Sequence, residues 1–413
     1  MIFNTWVYGA FLAAFFILYW AVPARGRTAA LLLGGLVFYT YYLPAHTLLI
    51  AALILATYGL SAVISRLKAV QADGVPSTGF LNVNTVFVLS LVLCLGVLAY
   101  YKYLDLLAAT FDGLILLLRF GAPYQVPDIV IPLGLSFFIF EFVHYLAEIY
   151  KGSTPRGSLV EYAAFGLFFP TLVAGPIKRF QPFLEQLRSP AGFRLEFVSE
   201  GLYRILIGLG KKVIIADSMA VFTGPLANPL NAAGADYWVA IYAFAIKIYF
   251  DFSGYSDIAI GSAKILSIQV PENFNRPYFQ QNISAFWNNW HMSLSSWIKD
   301  YLYIPLGGNR GTFLFTLRNL IIAMALCGLW HGAAWNFVVW GLYHGVGMSL
   351  YRIYRKKGVF LIELMERLPA PLIRVVSILI TFHFVCIGWV FFATDLNTAI
   401  QFFYCAGQAL ICN

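Results

Sequence analysis

The sequence predicts an all-α polytopic membrane protein, with about eleven transmembrane helices plus re-entrant or interfacial helices. Three observations carry this. The 413 residues are 60% hydrophobic and only 11% charged, under half of the roughly 25% charged residues usual in soluble domains. Aromatic residues reach 17%, with 37 Phe and 25 Tyr, a composition that suits apolar walls and interfacial belts. Apolar runs long enough to approach a bilayer crossing recur along the whole chain.

In order, these runs fall at residues 5–22, 29–43, 46–65, 84–101, 104–120, 129–149, 158–177, 198–224, 237–262, 316–330, 335–351, 371–393 and 398–411. Val22-Pro23-Ala24 loosely resembles a cleavage site, yet no Lys or Arg precedes the first run. The positive region of a secretory signal is therefore missing, and an uncleaved first helix is expected. Several later runs are short or interrupted by Gly or Pro, so the expected spans number fewer than the runs. No internal repeat is evident, which weighs against inverted-repeat transporters.

Basic residues set the orientation. Arg25 and Arg27, Arg66 and Lys68, Lys178, Arg179, Arg188 and Arg194, and Arg352, Arg355, Lys356 and Lys357 form four basic loops. An extracytoplasmic N-terminus puts all four in the cytoplasm. His46 and residues 225–236, which contain no Lys or Arg, then face outward, with Lys151 and Arg156 as the exception. The net charge of +8 is thus a topology signal against an anionic leaflet, not a nucleic-acid surface. Cys94, Cys327, Cys386, Cys405 and Cys412 show no paired metal spacing and read as small core residues.

Segment 283–301 departs from the spanning pattern. Ile283, Trp287, Trp290, Leu294, Trp297 and Tyr301 recur at steps of 4, 3, 4, 3 and 4, which makes one helical stripe. Asn288, His291, Ser295, Lys299 and Asp300 lie between them. Three Trp on one face and polar groups on the other describe a helix lying in the membrane interface.

His331 stands in Gly328-Leu329-Trp330-His331-Gly332. A titratable side chain in so apolar a run is a functional-site hypothesis by default; the bland reading is a buried histidine bonded to a backbone carbonyl. The following Gly332-Ala333-Ala334-Trp335-Asn336 breaks the run, and small residues let backbone or substrate come close. That favours an imidazole lining a cavity at membrane depth. His291 is the second such imidazole. Glu141, His144 and Glu148 share one face of the helix expected over 129–149 and read as structural polar packing sooner than a metal site. Lys247 and Asp251 stand at i and i+4 and can pair. With the polar strip Phe252-Ser253-Gly254-Tyr255-Ser256-Asp257 they suggest another cavity lining. His46, His344 and His383 gain no partner from spacing. No nucleophile elbow, Walker loop, dinucleotide fingerprint or His-Glu-x-x-His helix occurs, so hydrolase, ATPase and zincin chemistry lack support.

Several long motifs follow one another in order. They are Ile131-Pro132-Leu133-Gly134-Leu135-Ser136-Phe137-Phe138, Phe169-Pro170-Thr171-Leu172-Val173-Ala174-Gly175-Pro176-Ile177, Tyr249-Phe250-Asp251-Phe252-Ser253-Gly254-Tyr255-Ser256-Asp257, Pro271-Glu272-Asn273-Phe274-Asn275-Arg276-Pro277-Tyr278, the segment from Phe286 to Trp297, and Asp300-Tyr301-Leu302-Tyr303-Ile304-Pro305-Leu306-Gly307-Gly308-Asn309-Arg310. With Trp330-His331-Gly332 they resemble the membrane-bound O-acyltransferase superfamily, and within it the bacterial alginate O-acetyltransferase-type branch. Members of that branch usually run longer at the C-terminus. The length here is nearer to relatives that pass D-alanine toward teichoic acids, which leaves the acyl group open.

The resemblance implies a single membrane domain over 1–413, with core motifs in 131–345 and a ring of tilted helices around a central tunnel. It makes His331 the central catalytic residue and His291 its supporting partner. Asp251, Tyr255, Ser256, Asp257, Trp287, Asn288, Trp290, Lys299, Asp300, Trp330 and Asn336 are the expected substrate-binding or tunnel-lining residues. The implied reaction moves an acyl group, acetyl as the first expectation, from a cytoplasmic thioester toward an extracytoplasmic polysaccharide. The co-substrate is acetyl-CoA or an acylated carrier phosphopantetheine, with no permanently bound cofactor and no metal. Lys178 and Arg179, with the Trp helix, are expected to frame the donor entrance. Expected partners are the acyl-CoA or carrier protein, an extracytoplasmic acyltransferase protein, the polysaccharide and membrane lipid, but no nucleic acid. The expected location is the bacterial cytoplasmic membrane. Two alternatives remain: D-alanyl transfer from a carrier protein toward teichoic acid, and a polysaccharide or small-molecule transporter without covalent chemistry.

Overall fold

The computed structural model describes residues 3–41, 44–73, 82–118, 129–358 and 368–411. These are helical almost throughout. Among the described residues, β pairing is confined to an isolated bridge between Phe274 and Trp290. Hydrocarbon offers no partners to exposed peptide groups, so apolar segments that enter it close their hydrogen bonds within the segment. The chain divides into two compact units, Met1–Gly208 with Tyr255–Pro271, and Leu209–Gly254 with Glu272–Asn413.

The first unit contains α1 (Trp6–Ala21), α2 (Arg27–Thr40), α3 (Pro44–Ala72), α4 (Val83–Leu98), α5 (Leu104–Leu118), α6 (Leu135–Lys151), α7 (Leu159–Gly166), α8 (Phe180–Arg188) and nearly all of α9 (Leu195–Leu209). Side-chain caps start several of them. Thr5 accepts from the Tyr8 amide, Asn82 from that of Thr85, and Ser158 forms a reciprocal capping box with Glu161. Each such cap satisfies amides that the helix itself leaves open. Inside, Thr57 lies 2.8 Å from the Tyr162 hydroxyl and Ser61 lies 3.0 Å from that of Tyr145. The two tyrosines stack at 4.1 Å.

The second unit contains α10 (Asp217–Ala220), α11 (Gly224–Ala227), α12 (Asp236–Lys264, which belongs to the first unit from Tyr255 onward), α13 (Ile283–Asn289), α14 (Met292–Ile298), α15 (Phe313–His331), α16 (Trp335–Lys357), α17 (Ala370–Ala393) and α18 (Leu396–Ile411). Its core is built on Trp340, Trp389, Phe286 and Phe402, all fully buried or nearly so. Helices α15 and α16 form a hairpin whose backbones touch. A Cβ on Gly328 would lie 2.1 Å from the Phe337 carbonyl oxygen, and one on Gly341 would lie 2.2 Å from that of Met324. Only glycine allows this approach, as at small-residue interfaces between membrane helices.

Among the described residues, four helical stretches are long and apolar enough to cross a membrane: Pro44–Ala72, Val83–Asp112, Phe313–His331 and Ala370–Ala393. Trp6–Ala21 and Leu159–Thr171 are shorter apolar helices. The protein is therefore a multi-pass membrane protein. Three expected runs differ in form. Runs 84–101 and 104–120 join through a wide turn at Ala99–Tyr103. Run 198–224 breaks after Leu209, where a wide turn at Gly210–Ala216 carries Lys211 and Lys212. Cys94, Cys327 and Cys386 are buried as expected and Cys405 is half-buried; Cys412 lies outside the described residues.

Candidate active site

The stripe from Ile283 to Tyr301 is not one interfacial helix. It breaks into α13 and α14 at Trp290 and His291, and a wide turn at Lys299–Tyr303 follows. Trp287, Trp290 and Trp297 are all buried in protein, so they form core rather than a membrane-surface belt. The physical reason for the break is a competing set of hydrogen bonds. Asn273 accepts the Met292 amide on its carbonyl at 2.9 Å and the Ser293 hydroxyl on Oδ1 at 2.6 Å. The Asn275 amide donates to the Asn289 carbonyl at 3.1 Å. His291 then takes a left-handed backbone, with φ of +43°. For a residue with a Cβ this costs about 1–2 kcal/mol, and such outliers collect where side-chain placement matters.

The result is an imidazole held deep in the second unit. His291 is 1% exposed, and neither ring nitrogen meets a protein hydrogen-bond partner. Phe252 packs edge-on against it at 4.5 Å between centroids. Its other neighbour is Trp330, 6.4 Å away. His331 packs on the same indole, at 4.8 Å. His331 is the last residue of α15 and is half-buried, with Trp340 and Phe392 each edge-on at 5.2 Å. Trp340 separates it in turn from His344, whose ring is 5.0 Å from that indole. His344 is fully buried, with both nitrogens unpartnered by protein. Three imidazoles thus alternate with two indoles.

The electrostatics favour a neutral ring at His291. His291 sits between two short helices, outside the spanning segments. Burial pushes its pKa well below the usual imidazole range, and the adjacent His331 pushes it the same way. A neutral imidazole has one nitrogen free to accept a proton or hydrogen bond.

The expected site residues sort into groups. His291, Trp330 and His331 lie together. Trp287 joins them through Trp340, at 5.6 Å, and through His344, at 5.1 Å. Trp290 packs on Trp389 at 5.0 Å. Asn336 donates to the Phe391 carbonyl at 3.0 Å, beside the Phe392 that walls His331. Asn288 and Lys299 are exposed, and Asp300 is half-buried on the turn after α14. The polar strip on α12 divides between the units. Asp257 pairs with Arg204 at 2.9 Å, Ser256 is buried, and the Tyr255 ring lies 5.9 Å from Phe3, all within the first unit. Asp251 belongs to the second.

Two pairings differ from expectation. Asp251 meets Lys212 at 2.8 Å instead of Lys247, because the wide turn at Gly210–Ala216 presents a cation that helical spacing could not reveal. Lys178, expected at a donor entrance, is buried and pairs with Glu141 at 2.5 Å. A lysine so enclosed keeps its charge only by holding a carboxylate. His144 beside it accepts from the Phe180 amide at 2.9 Å, and Glu148 pairs with Lys151. This face of α6 is structural packing, as its spacing suggested. Sequence reasoning missed Asn273, which shapes the His291 turn, and left His344 unplaced. The first has a signal in the Asn-rich stretch Asn273-Phe274-Asn275; the second has none beyond being an imidazole in an apolar helix.

The chain is a multi-pass membrane protein in which two imidazoles pack against one indole. The chain belongs to the membrane-bound O-acyltransferase (MBOAT) family, whose profile matches residues 35–392. It is an O-acyltransferase. It is 38% identical over 392 residues to the probable alginate O-acetylase AlgI of Azotobacter vinelandii, covering 94% of this chain and 74% of that protein. The peptidoglycan O-acetyltransferase of Helicobacter pylori is 34% identical, with 76% of this chain and 63% of that protein covered. The teichoic acid D-alanyltransferase of Bacillus subtilis is 32% identical, with coverages of 66% and 71%.

Proposed function

We propose that the protein transfers an acetyl group from a cytoplasmic thioester toward an extracytoplasmic polysaccharide, with His331 as the general base. The observation that carries this reading is that His331 and His291 both pack on Trp330 in an O-acyltransferase. His331 ends a hydrophobic helix and is only half-buried, so a substrate hydroxyl can approach it. The hydroxyl proton passes to a ring nitrogen of His331 as the oxygen attacks the thioester carbonyl. The C–S bond then breaks, and the imidazolium returns the proton to the departing thiolate. A positioned base of this kind contributes about 10²–10⁴-fold. His291, kept neutral, holds the reacting groups by hydrogen bonding from beside the same indole. The donor is acetyl-CoA or an acylated carrier arm. With its N-terminus outside, the protein works in the bacterial cytoplasmic membrane as one domain and hands the acetyl group to an extracytoplasmic acyltransferase protein.

Likeness to the alginate acetylases over nearly the whole chain supports acetyl and a polysaccharide. The likeness to a teichoic acid D-alanyltransferase favours D-alanyl transfer from a carrier protein as the second reading. Mass spectrometry of envelope polymer separates them. A deletion strain should lose one acyl group, regained with the wild-type chain but not with His331→Ala. Loss of D-alanine esters, with acetyl unchanged, would select the second reading. A polymer unaltered by the deletion would overturn both.

A further inference from the structure

The second unit has a cavity of about 710 Å³ between α16, α17 and residues 281–283. The two helices run antiparallel, since Asn336 reaches Phe391 while Gly347 lies against the Phe384 ring. The cavity follows their seam from Gly347 and Phe384 to Arg355 and Ile373, about 12 Å along α16 at the helical rise per residue. Its deep end is closed by Phe384, stacked on Tyr343 at 4.3 Å. Its sides are mainly apolar, with Ser377 and Thr381 on α17 and Gln281 and Asn282 at residues 281–283 among them, and Leu350 and Ile380 are 59% and 64% exposed. On membrane-embedded helices, such exposure is to hydrocarbon.

The mouth is different. Arg355 is exposed, and among the described residues its guanidinium has no hydrogen-bond or ion-pair partner. It lines both this groove and a second, open hollow of about 540 Å³ shared with Arg352, Lys356, Asn309 and Thr316. Arg352 is held there by Asn309 at 2.9 Å and the Tyr303 hydroxyl at 3.2 Å. An apolar slot thus continues into a basic basin through one shared arginine.

We infer that this composite site binds an anionic phospholipid, with its phosphate at Arg355 and Arg352 and one acyl chain along Leu350, Ile373 and Ile380. Charge complementarity and continuity of the two cavities select the ligand. An acyl donor also carries phosphates, but the stacked Tyr343 and Phe384 close the slot before His344. The site is independent of the acyl group transferred.

Native mass spectrometry tests this on the full-length protein released from bilayers that mix phosphatidylglycerol and phosphatidylcholine of identical chains. The wild type should retain phosphatidylglycerol preferentially. Arg355→Gln should cut that preference about fivefold, the effect of one basic side chain on an anionic headgroup. Ile380→Trp, which fills the slot, should lower retention of both lipids, whereas Arg25→Gln, an exposed charge elsewhere, should change neither. Equal retention of the two lipids by the wild type, or an unchanged preference in Arg355→Gln, overturns the proposal. Displacement of the lipid by excess coenzyme A also overturns it and assigns the site to the donor.

Discussion

The first unit buries Glu141, Lys178 and His144; the second buries His291 and His344 and half-buries His331. In the first cluster the carboxylate holds the lysine at 2.5 Å, and the imidazole accepts a backbone amide at 2.9 Å. In the second, His291 and His344 offer four ring nitrogens to no protein partner. The contrast separates two uses of buried polarity: the first cluster binds helices together, and the second, on the function proposed above, holds groups ready for a substrate.

The comparison can be broken at its strongest point. His331→Ala should lower acyl transfer by about 10³-fold while leaving the melting temperature and detergent elution unchanged; thiol release from the acyl donor reports it. Glu141→Ala should do the reverse. It strands a buried ammonium at a cost of about 3–5 kcal/mol and should remove folded protein, seen as lost yield and a lower melting temperature. The double change Glu141→Leu with Lys178→Met should recover much of that loss, since an apolar pair can replace a buried ion pair. Recovery of folding without activity would mean that the first cluster also serves catalysis.

Smaller effects sharpen the distinction. His291→Asn keeps a residue tolerant of the left-handed turn. It should cost roughly tenfold to a hundredfold in kcat, with stability unchanged or raised; full activity would reduce His291 to packing. Asn273→Ala removes the Oδ1 that holds Ser293. It should cost about 1 kcal/mol of stability and a modest part of kcat, with little change in KM.

The smallest expected effect is one of pH. His291 has a depressed folded pKa, so below about pH 6.5 the unfolded chain binds the proton that the folded chain refuses. Stability should therefore fall as pH drops through that range. His291→Asn should flatten the fall in a melting series, and an unaltered slope would remove this contribution.

Much of this was legible in the chain. The apolar runs located the helices because membrane helices need long uninterrupted greasy stretches, and α1, α2, α12, α15, α17 and α18 begin and end within a few residues of expectation. His331 stood out because a lone imidazole is expensive in that setting. The stripe through Trp287, Trp290 and Trp297 misled, since its period is compatible with one helix while its hydrogen bonds are taken by Asn273 and Asn275, distant in the pattern and close in space. Asp251 with Lys247 failed for the same reason. Spacing names neighbours along a helix, and the actual partner Lys212 comes from a turn with wide, irregular winding. Lys178 read as a surface cation because nothing around it in sequence announces Glu141, thirty-seven positions away.

The backbone contact of α15 with α16 has one more consequence. Where Gly328 and Gly341 press on the opposing chain, no side chain is present to compress or rotate, so the hairpin works as a fixed calliper. With His331 as the base proposed above, its position at the tip is set by the hairpin, chain-length selectivity falls to the walls that face the tip, Trp340 and Phe392, and redesign for another acyl group begins with those two rings.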